Sequence, residues 1–192
     1  MRSGWPVWVI SVGVVLGSAS CGASHYAQVS CEGVHRQSIF ILAAEAVPSA
    51  TYIPCIEPMP AGWSYAGSDV RSGSVRFWLD SDRVGARAIE VTMTASCDLT
   101  GSRESPLPNP PSGMRLFEEP ATEGASNVTV RHYVFPGGCV TTRYSFTRSD
   151  ARSMFDEADR LLGFTPRSIY VDGLQNDEGL TLCGAGAPPC PG

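Results

Sequence analysis

Residues 128–146 read VTVRHYVFPGGCVTTRYSF. Val128, Val130, His132 and Val134 alternate with Thr129, Arg131, Tyr133 and Phe135, the period of a strand. Pro136-Gly137-Gly138 follows, and glycine supplies the positive φ that a tight hairpin turn requires. The return strand sets Val140, Thr142, Tyr144 and Phe146 on one face. The stretch is an antiparallel hairpin, and it commits the chain to a sheet. The valine side predicts the inward face of the outgoing strand, with His132 among the valines. A lone histidine there is a core or edge residue rather than a base.

A second hairpin lies upstream. Val75, Phe77 and Leu79 alternate with Ser74, Arg76 and Trp78, and Ile89, Val91, Met93 and Ala95 alternate with Glu90, Thr92 and Thr94. The turn-rich DSDRVGA (80–86) joins them. Cys97 continues the apolar parity and is expected to point inward. The continuous apolar run SIFILAA (38–44) is a candidate central strand. Residues 102–113 carry four prolines without periodicity and read as an exposed loop.

Downstream the period changes. Met154, Phe155, Ala158, Leu161 and Leu162 form an apolar helical stripe over 150–162, with Arg152, Asp156, Glu157, Asp159 and Arg160 facing water. Ser149 or Asp150 caps its start, and Gly163 suits its stop. Pro166 starts a further short helix or an irregular segment. The expected fold is α+β: a mainly antiparallel sheet of about five strands with one covering C-terminal helix, stabilised by disulfides. The organisation is an export signal or anchor (1–20), a tether (21–35), the α+β domain (36–170) and a Pro/Gly/Cys-rich tail (171–192). The end of the tail, CGAGAPPCPG, is not expected to pack a core.

Composition narrows the partners. The chain has 192 residues, 43% hydrophobic and 17% charged, with net charge −5. That balance argues against nucleic acid as the main partner, because phosphate binding needs a dense basic surface. All 14 basic residues are arginine, which removes a P-loop, a Schiff-base lysine and a Ser-Lys dyad. At the N-terminus, Arg2 precedes an apolar stretch and then small residues up to Cys21, the layout of an export signal. Three outcomes follow: a lipoprotein acylated on Cys21, an uncleaved anchor, or a secreted protein cut near Ser18 or Ser20. The aliphatic residue usual three positions before a lipidated cysteine is replaced by Ser18. All three outcomes place the rest of the chain outside the cytoplasm.

Seven cysteines support that placement. With Cys21 lipidated, Cys31, Cys55, Cys97, Cys139, Cys183 and Cys190 remain, enough for three disulfides. Sequence alone does not choose among the pairings. Cys183 and Cys190 share a short tail and suit each other. Cys97 and Cys139 both fall at strand ends, where a bridge would pin the two hairpins and stabilise by about 4 kcal/mol in the chain-entropy model. Cys31 and Cys55 then pair by elimination.

Catalytic signals are weak. No GxSxG, HExxH or SxxK is present. Asp80-Ser81-Asp82 begins like a calcium loop and Gly85 falls sixth, but position twelve is Val91. Glu118 and Glu119 are neighbours, so on a strand they face opposite ways and are not an acid/base pair. Asn127-Val128-Thr129 fits a glycosylation sequon. His25 and His35 lie before the sheet region. Trp63 and Trp78 are core or edge residues, or an aromatic binding surface; Trp78 sits opposite in parity to the apolar face. No catalytic residue, metal or cofactor is expected.

Several stretches taken together carry a resemblance: VPSATYIPC (47–55), PAGW (60–63), FWLDSDRVGARA (77–88), CD (97–98) and YVFPGGCV (133–140). In order and spacing they resemble an uncharacterised group of exported, membrane-anchored or lipoprotein-like proteins of high-GC Gram-positive bacteria. The similarity covers roughly residues 38–164. It implies export and a core containing Cys55, Cys97 and Cys139; it brings no activity and no functional residue. The expectation is therefore an exported, envelope-anchored, non-enzymatic domain that binds or organises a protein or envelope ligand at the cell surface. The alternative is an extracytoplasmic enzyme, such as a hydrolase.

Overall fold

Two antiparallel meanders meet edge to edge. The first comprises β2 (Trp63–Arg71), β3 (Ser74–Ser81) and β4 (Gly85–Thr94); the second comprises β5 (Arg103–Ser105), β6 (Arg115–Glu118), β7 (Val128–Phe135) and β8 (Gly138–Ser145). The first and last of these seven strands to reach the centre, β4 and β8, pair there, giving the order β2-β3-β4-β8-β7-β6-β5. A separate ribbon pairs β1 (Tyr52–Ile56) with β9 (Leu162–Pro166). The computed structural model describes residue 31 and residues 38–120, 128–146 and 151–191. The export signal, Cys21, His25, His35 and Asn127 lie outside the described residues. Among the described residues no helix is long and apolar enough to cross a membrane.

The expected α+β class holds, but the sheet has seven strands rather than five. The run at 38–44 drops out of the sheet, and three unexpected strands join it: β2 at one edge, and the short β5 and β6 on the far side. Residues 103–105 sit inside the proline-rich loop, and β6 is only four residues long. Strands this short carry too few side chains to show alternation.

One face of the sheet carries the core. Val75, Phe77 and Leu79 face Met93, Val91 and Ile89 across β3 and β4, and Met93 and Ile89 face Val140 and Tyr144 on β8. All of these are buried. On β7 the core side is Tyr133 and Phe135, which lie opposite Val140 and Gly138. The expected inward set, Val130 and His132, is buried on the opposite face instead. Parity alone misassigns β7 because both of its faces are covered, and the larger aromatic side takes the main core.

The covering layer is broader than one C-terminal helix. SIFILAA does not form a strand; it starts α1 (Ser38–Ala46). Periodicity cannot separate a short apolar run in a strand from one in a helix, and here the alanines decide. Ala43, Ala44, Ala46 and Val47 turn inward while Leu42 stays exposed, a helical spacing whose small side chains let the helix lie close. The amide of Gly73, in the β2–β3 turn, donates to the Ala46 carbonyl at 2.7 Å. Helix α2 (Ala151–Asp159) docks with Met154, Ala158 and, just beyond it, Leu161 buried. It ends earlier than the sequence pattern suggests, because Leu162 already pairs with Ile56. Pro166 does start a short helix, α3 (Arg167–Gly173), which continues into a π-helical turn at Leu174–Glu178.

The tail also contributes to the core. Leu174 and Leu182 are buried, and Ala185 N–H donates to the Pro48 carbonyl at 2.8 Å. Arg167, at 1% exposure, donates to the carbonyls of Ala185 (2.9 Å), Cys183 (2.5 Å) and Ala44 (3.4 Å). Its guanidinium thus ties the tail to α1. Burial pulls its pKa down from the ordinary arginine value. Composition concealed this because the packing runs through backbone carbonyls rather than apolar side chains.

Three disulfides join Cys31 to Cys55, Cys97 to Cys139 and Cys183 to Cys190, the same pairs that the sequence suggests. Cα separations are 4.9, 5.7 and 4.6 Å. Cys97 is half-exposed on the outer side of the sheet rather than inward, because β4 ends at Thr94 and the chain turns away before reaching it.

Leu161→Ala should therefore lower stability by about 2–5 kcal/mol, the range for truncating a buried leucine. Asp156→Ala, on the exposed side of α2, should stay within about 0.5 kcal/mol. Urea unfolding followed by far-UV circular dichroism measures both, and equal effects would mean that α2 does not dock as described.

Candidate functional site

Polar side chains concentrate at three places. The first is a trough beside the start of β2. Trp63 is buried and sets its ring edge-on to Phe146, with centroids 6.4 Å apart. Its indole N–H donates to Glu157 Oε1 at 2.6 Å. Arg83, in the β3–β4 turn, donates through Nη1 to Glu157 Oε2 at 3.1 Å and through Nη2 to Oε1. One carboxylate on α2 thus holds a tryptophan and an arginine from the sheet. Arg83, then Trp63, keep the Glu157 carboxyl below the usual carboxylate range. Beside it opens a concavity of about 610 Å³ lined by Pro58, Pro60, Ala61, Arg83, Arg160 and Leu161. Prolines fix one wall and arginines supply positive charge on the other.

The second place lies between α2 and the sheet. Arg131 projects from β7 onto the core face, where Nε donates to Glu118 Oε1 at 2.6 Å and Nη1 to Asp159 Oδ1 at 2.5 Å. Its guanidinium lies 4.1 Å over the Phe155 ring. The hydroxyls of Tyr133 and Tyr144 donate to the same Asp159 oxygen at 3.1 and 3.5 Å. Burial is the largest single influence on Arg131 and opposes its charge, but Asp159, Tyr133, Tyr144 and Glu118 together outweigh it and the pKa rises. Burial, then the Asp159 charge, push the Tyr133 hydroxyl up to about 12. Asp159 is thus half-exposed but turned toward the sheet, whereas helical spacing places it simply facing water. It sits at the last turn of α2, where the chain bends toward the sheet.

The third place is the outer face of the sheet. His132 and Thr141 are direct partners across β7 and β8. His132 Nδ1 lies 2.9 Å from Thr141 Oγ1, and Thr141 Oγ1 lies 3.2 Å from Cys97 Sγ. His132 Nε2 lies 3.3 Å from Glu119 Oε1. Cys97, Cys139 and His132 present ligand atoms within 4.8 Å of one another. Both sulfurs are engaged in the disulfide, so as they stand they cannot serve as thiolate ligands. Glu118 and Glu119 face opposite sides, as their adjacency requires: one meets Arg131, the other His132.

The remaining sequence candidates have structural uses. Asp80 Oδ1 accepts the Arg87 amide at 2.7 Å, while Val91, in the calcium loop's twelfth position, is buried in β4. Asp82 and Arg83 make an exposed pair at 3.8 Å. Trp78 is half-buried on the outer face, donating to Glu90 Oε2 at 2.8 Å with the Arg87 guanidinium 4.9 Å from its ring. Sequence reasoning missed the Glu119–His132–Thr141 chain. Thr141 and His132 are equidistant from the Pro136-Gly137 turn, and that hairpin register was the available signal.

Two outcomes follow for the Arg131 cluster. Asp159→Ala should cost about 1–3 kcal/mol, because it strips two buried tyrosine hydroxyls and a half-buried arginine of their acceptor. An unfolded tyrosine ionises near pH ~10. Tyr133 holds its proton to about 12 when folded, so its stabilisation is complete below pH ~10 and declines as pH rises toward 12. Urea midpoints across that window should fall, and Tyr133→Phe should make the decline shallower.

Comparison with protein families, with curated proteins and with solved structures finds no match for this chain.

Proposed function

We propose that this chain is an exported domain, held at the outer face of the cell membrane by its N-terminus, that binds a protein or envelope ligand rather than catalysing a reaction. The observation that carries the proposal is the set of three disulfides, which engages every described cysteine. Such pairing persists in oxidising compartments and is rare in the cytosol. The lipid anchor is Cys21, with an uncleaved N-terminal anchor as the competing attachment. The trough beside Trp63, Arg83 and Glu157 is the surface we assign to the partner. Its wall is fixed by the Glu157 bonds, so little order is lost when a partner docks.

A phosphatase reporter that requires disulfides, fused after Gly192, should be active in intact cells. A fusion that works only with a cytoplasmic reporter would overturn export. Cys21→Ala should abolish metabolic labelling with a fatty-acid probe and release the protein from membranes. An unlabelled wild type that stays membrane-bound would assign attachment to the uncleaved anchor instead.

A further inference from the structure

The outer face of the sheet joins a disulfide to a chain of hydrogen-bonding groups. Cys139 opens β8 opposite Thr94, and Cys97 reaches it from the segment just past β4. Thr141, two residues along β8, lies 3.2 Å from Cys97 Sγ. Behind Thr141 stand His132 at 2.9 Å and, on the far ring nitrogen, Glu119 at 3.3 Å. A disulfide sulfur carries no hydrogen, so the Thr141 hydroxyl donates to it. Thr141 has then spent its only proton and accepts from His132 Nδ1–H. Glu119 Oε1 stands at the far ring nitrogen, Nε2. The chain thus sets a hydroxyl donor against the Cys97 sulfur and the His132 ring behind it, with Glu119 and Asp98 close by.

The two sulfurs also differ in access. Cys139 is 0% exposed and Cys97 is half-exposed. We propose that Cys97–Cys139 is a thiol–disulfide exchange site for small thiols or protein dithiols, with Cys97 the exchanging sulfur and Cys139 the resolving one. An incoming thiolate attacks Cys97 Sγ and forms a mixed disulfide; the Cys97–Cys139 bond breaks and its electron pair goes to Cys139. The His132 ring, within 4.8 Å of both sulfurs, relays to Cys139 the proton that the incoming thiol gives up. A second thiolate then attacks the sulfur of the first thiol and leaves as the disulfide of the two. Cys97 is released as a thiolate that accepts from Thr141. Two thiols are oxidised and one protein disulfide is reduced.

Exposure alone makes the opposite prediction. Cys190 is exposed in the tail, so simple accessibility would open Cys183–Cys190 first. The full-length protein is incubated with reduced glutathione, quenched with an alkylating agent at intervals, and each cysteine mapped by peptide mass spectrometry. Cys97–Cys139 should open first of the three pairs. Thr141→Val and His132→Gln should each slow its opening about tenfold, the worth of one hydrogen bond to a charged group. Opening of Cys31–Cys55 and Cys183–Cys190 should not change. Iodoacetamide trapping of the half-reduced protein should label Cys97 ahead of Cys139. First opening at Cys183–Cys190, or unchanged Cys97–Cys139 rates in both variants, would overturn the proposal. If either variant loses its far-UV spectrum, the wild-type order of opening decides.

Discussion

The pairing of β4 with β8 is the constraint on which the rest depends. It runs from Ile89 opposite Tyr144 to Thr94 opposite Cys139. Each meander is built from local turns, but this seam joins residues 45 to 55 apart in sequence. Loop-closure entropy opposes such a contact until side chains reward it. Here the reward is double. On the core face, Ile89, Val91 and Met93 meet Tyr144, Thr142 and Val140, and of these only Thr142 is polar. On the outer face, the Cys97–Cys139 bridge fixes the two strands covalently where they end. The covering layer of α1, the β1–β9 ribbon and α2 then has one continuous surface to pack on.

A half-buried arginine sets the orientation of α2. Arg131 stands on the core face of β7, where a hydrocarbon side chain would cost nothing to bury. Without partners its charge would be strongly destabilising. Glu118 from the neighbouring strand and Asp159 from the end of α2 supply the opposite charge from both sides. Apolar burial presses α2 onto the sheet without choosing an angle, since it is non-directional. The ion pair chooses one, because Asp159 must arrive beside Arg131 and the two tyrosine hydroxyls together. At the other side of α2, Glu157 performs the same office for Trp63 and Arg83.

Much of this architecture was legible in the sequence, and the gaps have physical causes. Both hairpins, their turns, the docking stripe of α2 and the three cysteine pairs follow from alternation, glycine placement and helical spacing. What failed were inferences that treat one element in isolation. SIFILAA is almost wholly apolar, so its periodicity does not separate strand from helix. The valine side of β7 reads as the inward face from alternation alone, whereas Tyr133, Phe135 and Arg131 take the core side. The charge of Arg131 there is offset by Glu118 and Asp159, which come from other elements. The polar sites were harder still. The trough joins residues from the segment after β1, the β3–β4 turn and α2, and no spacing rule connects them. Only the His132–Thr141 pairing could have been derived in advance, from counting outward along the hairpin.

Arg167 has a temporal consequence. Its guanidinium holds carbonyls from Ala44, near the start of the described domain, and from Cys183 and Ala185, near its end. Leu182 fills the same layer. A chain emerging N-terminus first, whether from a ribosome or across a membrane, presents α1 and the sheet strands long before those closing residues arrive. Until then α1 lacks its last neighbours and Arg167 lacks two of its acceptors. Completion of the fold therefore waits for nearly the whole chain. On the export route we propose, the chain would cross the membrane as an unfinished structure and close only on the far side, where oxidising conditions would seal Cys183 to Cys190.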